Sequence, residues 1–287
     1  MKRLFKSLIL VLIIVVSAFS IVACDNGNGT GKSKKGLVLK KHTGEEFYTL
    51  YKYVDEGDGI EVLDLAEKAG DKTIGRIVAG AFSKNDTLVE IIVPNSVIEI
   101  QEGAFAGMTK LQKITVPFTG LNKNADAYFN QTENTDEKAT NEKRCFSFIF
   151  GKESYEYGAE MSINYGADLV TAYLPARITQ VTVKANEGYN LPMYAFSGIK
   201  LVETITLDSA VVAIGEHAFE GCRDLTTLKI SSSVKTIYTQ AFNGCESLTA
   251  IRFDGTKEEW GQVELKDEWM GDAEIEKIIC NDGEFSL

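Results

Sequence analysis

An Ala-Phe pair returns along this chain at a fixed spacing, and that period constrains the fold more than any other feature. Ala81-Phe82 and Ala104-Phe105 lie 23 residues apart, as do Ala195-Phe196, Ala218-Phe219 and Ala241-Phe242. Counted from each Phe, apolar residues recur at +6, +9 and +11, and from Phe82, Phe196 and Phe219 again at +15 and +18. After Phe219 these are Leu225, Leu228, Ile230, Val234 and Ile237; after Phe82 they are Leu88, Ile91, Val93, Val97 and Ile100. Repetition at a period of about 20–50 residues marks a solenoid, in which each unit buries its apolar side only against its neighbours. The +9 and +11 residues alternate with polar ones, as in a strand with one face buried. Pro94 and Pro117 follow these strands, where a residue without an N–H ends a ladder. The Ala-Phe-x-Gly segment makes the return: Ala permits close approach and Phe fills the interior. Stacking places equivalent residues about 4.8 Å apart, which predicts rows of Phe, Leu and Ile along the axis.

The same arithmetic fixes which strand residues point outward. At +8 and +10 they are Glu90 and Ile92, Lys113 and Thr115, Thr204 and Thr206, Thr227 and Lys229, and Ala250 and Arg252, with Gln180 and Thr182 at the matching places around Val181. Threonine is common on exposed strands for packing reasons alone. The alternative is a hydrogen-bonding face for an extended partner, less acidic than the rest of the molecule.

Units such as Leu225 to Cys245 resemble the BspA-type bacterial leucine-rich repeats also found in treponemal surface proteins. Cys222 and Cys245 both stand at Phe+3, the usual Cys position of that family, where Asn85, Met108 and Ile199 replace it in other copies. The resemblance covers roughly residues 70–118 and 170–280, and implies a β-rich repeat solenoid: a right-handed superhelix of 23-residue units with strands lining the concave, binding side. It also extends to an insertion running from Val116-Pro117-Phe118 through Phe148-Ile149-Phe150-Gly151 and on to Leu174-Pro175 and Val181-Thr182-Val183, and to the ending from Gly255 to Gly283.

Both ends carry signs of a cap. Phe47–Tyr51 and Ile60–Leu65 are strand-like around the turn-rich Asp55 to Gly59, and read as a capping hairpin. Ile74 and Ile77 then set the register before the first Ala-Phe pair. At the other end Thr256 and Glu259 form a capping box that opens a helix predicted to reach about Val263. Trp260 and Trp269 supply apolar area where no further unit stacks, and Lys277 to Cys280 makes the last strand. Between the repeat blocks the chain turns polar from Phe118 to Cys145, then strand-like at Phe146–Phe150. About 50 residues follow Val116 before the next recognisable strand, and loops that long are functional or mobile rather than ordinary connections. The expected organisation is 24–36 tether, 37–70 N-terminal cap, 71–118 repeats, 119–173 insertion, 174–254 repeats and 255–287 C-terminal cap, after a leader at 1–23.

That leader has Lys2, Arg3 and Lys6 before the apolar run Leu8–Val16 and a small-residue site at Ala23, the layout of a secretory signal. Ile21-Val22-Ala23-Cys24 resembles a bacterial lipobox, which implies cleavage before Cys24 and lipid on its sulfur. Two acyl chains on a glycerol would anchor stably. Gly31-Lys32-Ser33 lacks the earlier Gly and the strand–helix setting of a phosphate loop. Asp25 to Gly36 therefore reads as a flexible tether of r.m.s. reach about 17–21 Å. The expected location is the bacterial cell surface.

The chemistry of enzymes is hard to build here. His42 and His217 are the two histidines, and no nucleophile–base pair or HExxH arrangement accompanies them. His217 occupies a variable slot, shared with Gly103, Tyr194 and Gln240, and reads as a surface residue. Five cysteines form no CxxC pair. Cys222 and Cys245 fall on neighbouring units, where a disulfide and two thiols packed in one row both fit the spacing. The acidic C-terminal segment, Glu258 to Glu276, contains no calcium-binding loop and reads as a solvated face. A net charge of −11 argues against nucleic acid as a partner. The expectation is a non-catalytic surface protein without cofactor or metal that binds a protein or glycan, with recognition or adhesion implied by the resemblance. An architectural envelope scaffold and a carbohydrate-capture lipoprotein remain the alternatives.

Overall fold

The computed structural model describes residues 35–57, 59–122, 142–165, 168–186 and 188–287. The leader, Cys24, nearly all of the tether and residues 123–141 of the insertion lie outside the described residues.

The chain enters through β1 (Gly36–Lys41) and β2 (Tyr48–Val54), then β3 (Val62–Asp64), the helix α1 (Leu65–Ala69), β4 (Ile74–Ile77), β5 (Glu90–Ile92), β6 (Glu99–Ile100) and β7 (Lys113–Val116). It continues through β8 (Gly158–Tyr165), β9 (Asp168–Pro175), β10 (Gln180–Val183), β11 (Tyr189–Leu191), β12 (Thr204–Leu207), β13 (Val211–Ile214), β14 (Thr227–Ser231) and β15 (Thr236–Ile237). It ends with β16 (Ala250–Asp254), the helix α2 (Lys257–Trp260), β17 (Glu264–Leu265), β18 (Lys277–Cys280) and β19 (Gly283–Ser286).

These strands stack into a solenoid. One nine-stranded sheet runs its length in the order β19-β18-β16-β14-β12-β10-β7-β5-β3, parallel except for the last pair, β18 with β19. Two four-stranded sheets, β1-β2-β4-β6 and β11-β13-β15-β17, carry the second strand of each unit. The +9 residues Ile91, Ile114, Val181, Ile205, Leu228 and Ile251 are all buried, as are Val93, Val116, Val183, Leu207, Ile230 and Phe253 at +11. Each such side chain contributes about 1.5–3 kcal/mol by leaving water, so the rows dominate stability.

The Phe residues form a column through the interior. Ring centroids lie 5.1 Å apart for Phe82–Phe105 and 5.4 Å for both Phe196–Phe219 and Phe219–Phe242. Tyr53 continues the column at one end and Trp269 at the other, at 5.8 and 5.7 Å. Each return turn also bonds to the next: Phe82 N donates to Ala104 O, Phe196 N to Ala218 O and Phe219 N to Ala241 O.

Two positions of the return turn hold positive φ. One lies two residues before Phe, at Gly80, Gly103, Tyr194, His217 and Gln240; the other lies two after, at Lys84, Gly107, Gly198, Gly221 and Gly244. Only the second is mostly glycine, and at Gly107, Gly198 and Gly244 the space explains why. A Cβ at Gly107 would meet Lys84 N at 3.1 Å, and one at Gly244 would meet Gly221 N at 3.2 Å. Lys84 lies in the first Ala-Phe turn, Gly107 and Gly244 pack back against the residue one unit earlier, and a Cβ at Gly198 would instead meet Ser162 O at 2.4 Å. At the earlier position a Cβ on Gly103 comes no nearer than 3.8 Å to anything, so Tyr, His and Gln fit once the backbone strain is met.

The N-terminal cap differs from the expected hairpin. Phe47–Tyr51 and Ile60–Leu65 do contribute strands, but β2 pairs with β1 and β4 while β3 pairs with β5 in the other sheet. The antiparallel partner of β2 is Gly36–Lys41, and the turn-rich Asp55–Gly59 crosses between sheets instead of folding one strand back. Asp64 caps α1, accepting from Ala66 N at 2.8 Å and Glu67 N at 3.2 Å. At the far end the capping box forms as expected, with Thr256 and Glu259 exchanging hydrogen bonds. Its helix stops at Trp260, short of Val263, and Gly261 is the C-cap.

The interruption sits within a single turn. Lys113 and Gln180 begin adjacent strands although 67 residues separate them, compared with 23 between Glu90 and Lys113. β7 and β10 pair directly, Lys113 with Gln180 and Thr115 with Thr182. Phe146–Ile149, expected as strand, is a 3-10 helix with every residue buried. It occupies the place of an Ala-Phe turn: Phe105 N donates to Ile149 O and Phe146 N to Ala195 O. Phe150 lies 6.3 Å from Phe105, and Phe146 lies 5.3 Å from Phe150 and 5.2 Å from Phe196, so two rings carry the column across the break. The extra residues leave as a β8–β9 hairpin whose Met161, Ile163, Val170, Ala172 and Leu174 are buried.

Candidate functional site

The nine-stranded sheet sorts its side chains by alternation. With +9 and +11 buried, the residues between them stand on the opposite face, and pairing register aligns them into two columns. In the first, Val62, Glu90, Lys113, Gln180, Thr204 and Thr227 follow one another strand by strand, and Ala250 is followed by Lys277. In the second, Asp64, Ile92, Thr115, Thr182, Thr206, Lys229, Arg252 and Ile279 do so. Neighbours within a column are about 4.8 Å apart. All twelve residues singled out by the repeat arithmetic therefore share one face, and the interruption leaves no gap in it.

Exposure and charge vary along that face. Lys113, Gln180, Lys229 and Arg252 are exposed, while Glu90, Ile92, Thr115, Thr182, Thr204, Thr206, Thr227 and Ala250 are half-buried by their neighbours. Four residues extend it beyond the sequence reading. Val62 and Asp64 lie at one end, where Val62 is 53% exposed. Lys277 and Ile279 lie at the other, and Lys277 Nζ is 3.0 Å from Glu284 Oε2. Lys277 and Ile279 were accessible from the last strand's alternation; Val62 was concealed by assigning its strand to a hairpin. Among the described residues Lys113, Lys229 and Arg252 make no ion pair.

The remaining candidates are structural. His217 is half-buried rather than a surface residue: its ring stacks on Tyr194 at 5.1 Å and its Nδ1 lies 2.8 Å from Glu220 Oε2. Cys222 and Cys245 are thiols, not a disulfide. Each donates to the carbonyl of the Phe one turn earlier, Cys222 Sγ to Phe196 O at 3.1 Å and Cys245 Sγ to Phe219 O at 3.2 Å. Burial pushes the Cys222 thiol well above its ordinary pKa, with the neighbouring Cys245 adding to the shift, so neither ionisation nor nucleophilic chemistry is favoured there. Cys145 Sγ likewise donates to Tyr194 O at 3.0 Å within the enlarged turn. Among the described residues no three His, Cys, Asp or Glu side chains gather as a metal site, and no helix is long and apolar enough to cross a membrane.

A family model described as "BspA type Leucine rich repeat region" matches residues 69–153 and 171–277 in six copies. No curated protein shows significant similarity to the chain. Among solved structures, it is similar to a leucine-rich cell surface protein from Faecalibacterium prausnitzii A2-165, at 20% identity and a TM-score of 0.36, covering 79% of this chain and 40% of that one. It is also similar to the T. pallidum leucine-rich repeat protein, at 16% identity and a TM-score of 0.34, covering 83% and 82% of the two chains. A third similarity is to a leucine-rich repeat protein from Bacteroides ovatus ATCC 8483, at 13% identity and a TM-score of 0.34, covering 88% and 72%. The chain thus spans well under half of the Faecalibacterium protein.

Proposed function

Because the chain belongs to the BspA-type leucine-rich repeat family, we propose that it is a non-catalytic recognition protein of the bacterial cell surface. It is held there by lipid on Cys24 and binds a protein or other macromolecular partner through the face of the nine-stranded sheet. One observation carries this reading. The interior rows account for nearly every apolar position of the repeat, whereas the two outward columns form a surface that runs across the sheet and does not enter the interior. Adhesion to a host or neighbouring cell is the role that fits such a surface on an anchored solenoid.

Binding of the purified protein to a panel of extracellular-matrix proteins and glycans tests the role. Saturable binding is expected, at least ~10-fold weaker when Thr182→Tyr and Thr206→Tyr fill the centre of the face. Val212→Tyr, on β13 of a four-stranded sheet, should leave it unchanged. No saturable binding, or equal loss in both variants, refutes recognition by this face and favours an architectural role. Metabolic labelling with palmitate tests the anchor: Cys24→Ser should abolish the label, and a retained label contradicts lipidation at that residue.

A further inference from the structure

The binding face is graded along the solenoid. At the β3–β5 end it carries Val62, Glu90 and Ile92; at the centre, Thr115, Thr182, Thr204, Thr206 and Thr227; beyond them, Lys229 and Arg252. Lys229 and Arg252 are paired in register on adjacent parallel strands, both exposed. Like charges held opposite one another repel. Among the described residues neither Lys229 nor Arg252 forms an ion pair. Carboxylates just past β12 and on β16 are turned to other partners: Asp208 Oδ1 accepts from Ser209 N at 2.6 Å, and Asp254 Oδ1, two residues beyond Arg252, accepts from Asn281 Nδ2 at 3.2 Å. Glu284 holds Lys277, and Glu246 holds Arg223 at 3.0 Å. A chain of net charge −11 thus sets two cations side by side, without an ion pair among the described residues, on a face lined with hydroxyls.

We propose that this half of the face seats an acidic polypeptide segment, laid across the strands with its carboxylates on Lys229 and Arg252. The inference rests on the proposed use of the sheet face for binding. A partner carboxylate bridging the two cations removes their mutual repulsion, and Arg252 offers a forked donor set that suits a carboxylate. Threonine hydroxyls on Thr182, Thr204, Thr206 and Thr227 donate to and accept from a peptide backbone. No aromatic side chain stands in either outward column, so the face lacks the flat apolar platform on which sugar rings stack, and this favours peptide over glycan. Glu90 at the other end repels a second acidic stretch and so orients the segment, its acidic part toward β16.

Fluorescence polarisation with a labelled oligo-glutamate peptide tests this, with an oligo-glutamine peptide of equal length as control and polygalacturonate as competitor. The expected result is binding of oligo-glutamate alone, weakened by added salt. Lys229→Glu with Arg252→Glu should reduce affinity at least ~10-fold, and Lys113→Glu, three strands away, should reduce it less. An unchanged urea midpoint would confirm that the double variant stays folded. Equal binding of oligo-glutamine, tighter binding of polygalacturonate, or indifference to the double reversal overturns the proposal. A matrix partner whose binding is lost with Thr182→Tyr and Thr206→Tyr, yet unaffected by the charge reversal, would leave face recognition standing and remove only the acidic segment.

Discussion

The turns between β10 and β16 and the single enlarged turn between β7 and β10 solve one packing problem with very different lengths of chain. In the regular turns an Ala-Phe pair places one ring per unit in the column, with centroids 5.4 Å apart. In the enlarged turn no Ala-Phe pair exists. A 3-10 helix supplies Phe146 and Phe150 instead, and backbone bonds to Phe105 and Ala195 tie it into the stack. What the stack demands is an aromatic ring and a backbone hook at each level. The route between levels is free to lengthen wherever it leaves from the side. This is why the sheet crosses the break in perfect register while the hairpin grows away from it.

The sharpest way to break this comparison is to empty the column on both sides of it. Phe219→Ala in a regular turn should cost about 3–5 kcal/mol in urea unfolding. Phe146→Ala should cost a similar amount if the enlarged turn is a true level of the stack. A cost near zero would show that it is an appended loop. A smaller effect separates the hairpin's contact from backbone strain. Gly198 and Gly221 both have φ of +71°, but a Cβ at Gly198 would lie 2.4 Å from Ser162 O in β8, whereas at Gly221 the nearest atom is 3.8 Å away. Both alanine variants incur left-handed strain of about 1–2 kcal/mol. Gly198→Ala should cost about 1–3 kcal/mol more through overpacking. Equal losses would mean that the hairpin yields freely.

The smallest expected effect lies where the enlarged turn enters the interior. Thr119 is fully buried, and its hydroxyl lies 3.1 Å from the hydroxyl of Tyr189, which also accepts from Thr119 N. Thr119→Val should cost about 0.5–1.5 kcal/mol by calorimetry. A neutral result would show that Tyr189 does not need the Thr119 hydroxyl.

The fold was legible wherever the interior repeats. Phe82, Phe219 and their +9 and +11 followers could be placed from spacing alone because stacking gives each position one environment. The twelve outward residues followed by alternation. Legibility failed where two patterns look alike along the chain. Phe146-Ser147-Phe148-Ile149-Phe150 alternates as a strand does, yet Phe146 and Phe150 are four apart and meet as a helical turn allows, at 5.3 Å. Phe47–Tyr51 and Ile60–Leu65 flank turn residues as a hairpin does, but in a solenoid each strand finds its partner one level away. Gly36–Lys41, the true partner of β2, ends in Lys40-Lys41 and carries no alternation. The candidate face was legible as a list of positions, but its charge grading was not: that required knowing which carboxylates were already engaged.

The two ends of the molecule have a consequence for its oligomeric fate. A stack of parallel strands is translationally open, so its first and last levels are complementary and an unfinished copy would template the next into a fibre. β1 and β19 run against the direction of the sheets they border, and β3 and β17, the other strands at the two ends, are 3 and 2 residues long. Reversing the polarity at a terminus denies an incoming copy the ladder it would need, and truncating an edge leaves it little to grip. Each cap thus makes its end of the stack a poor template for a further level.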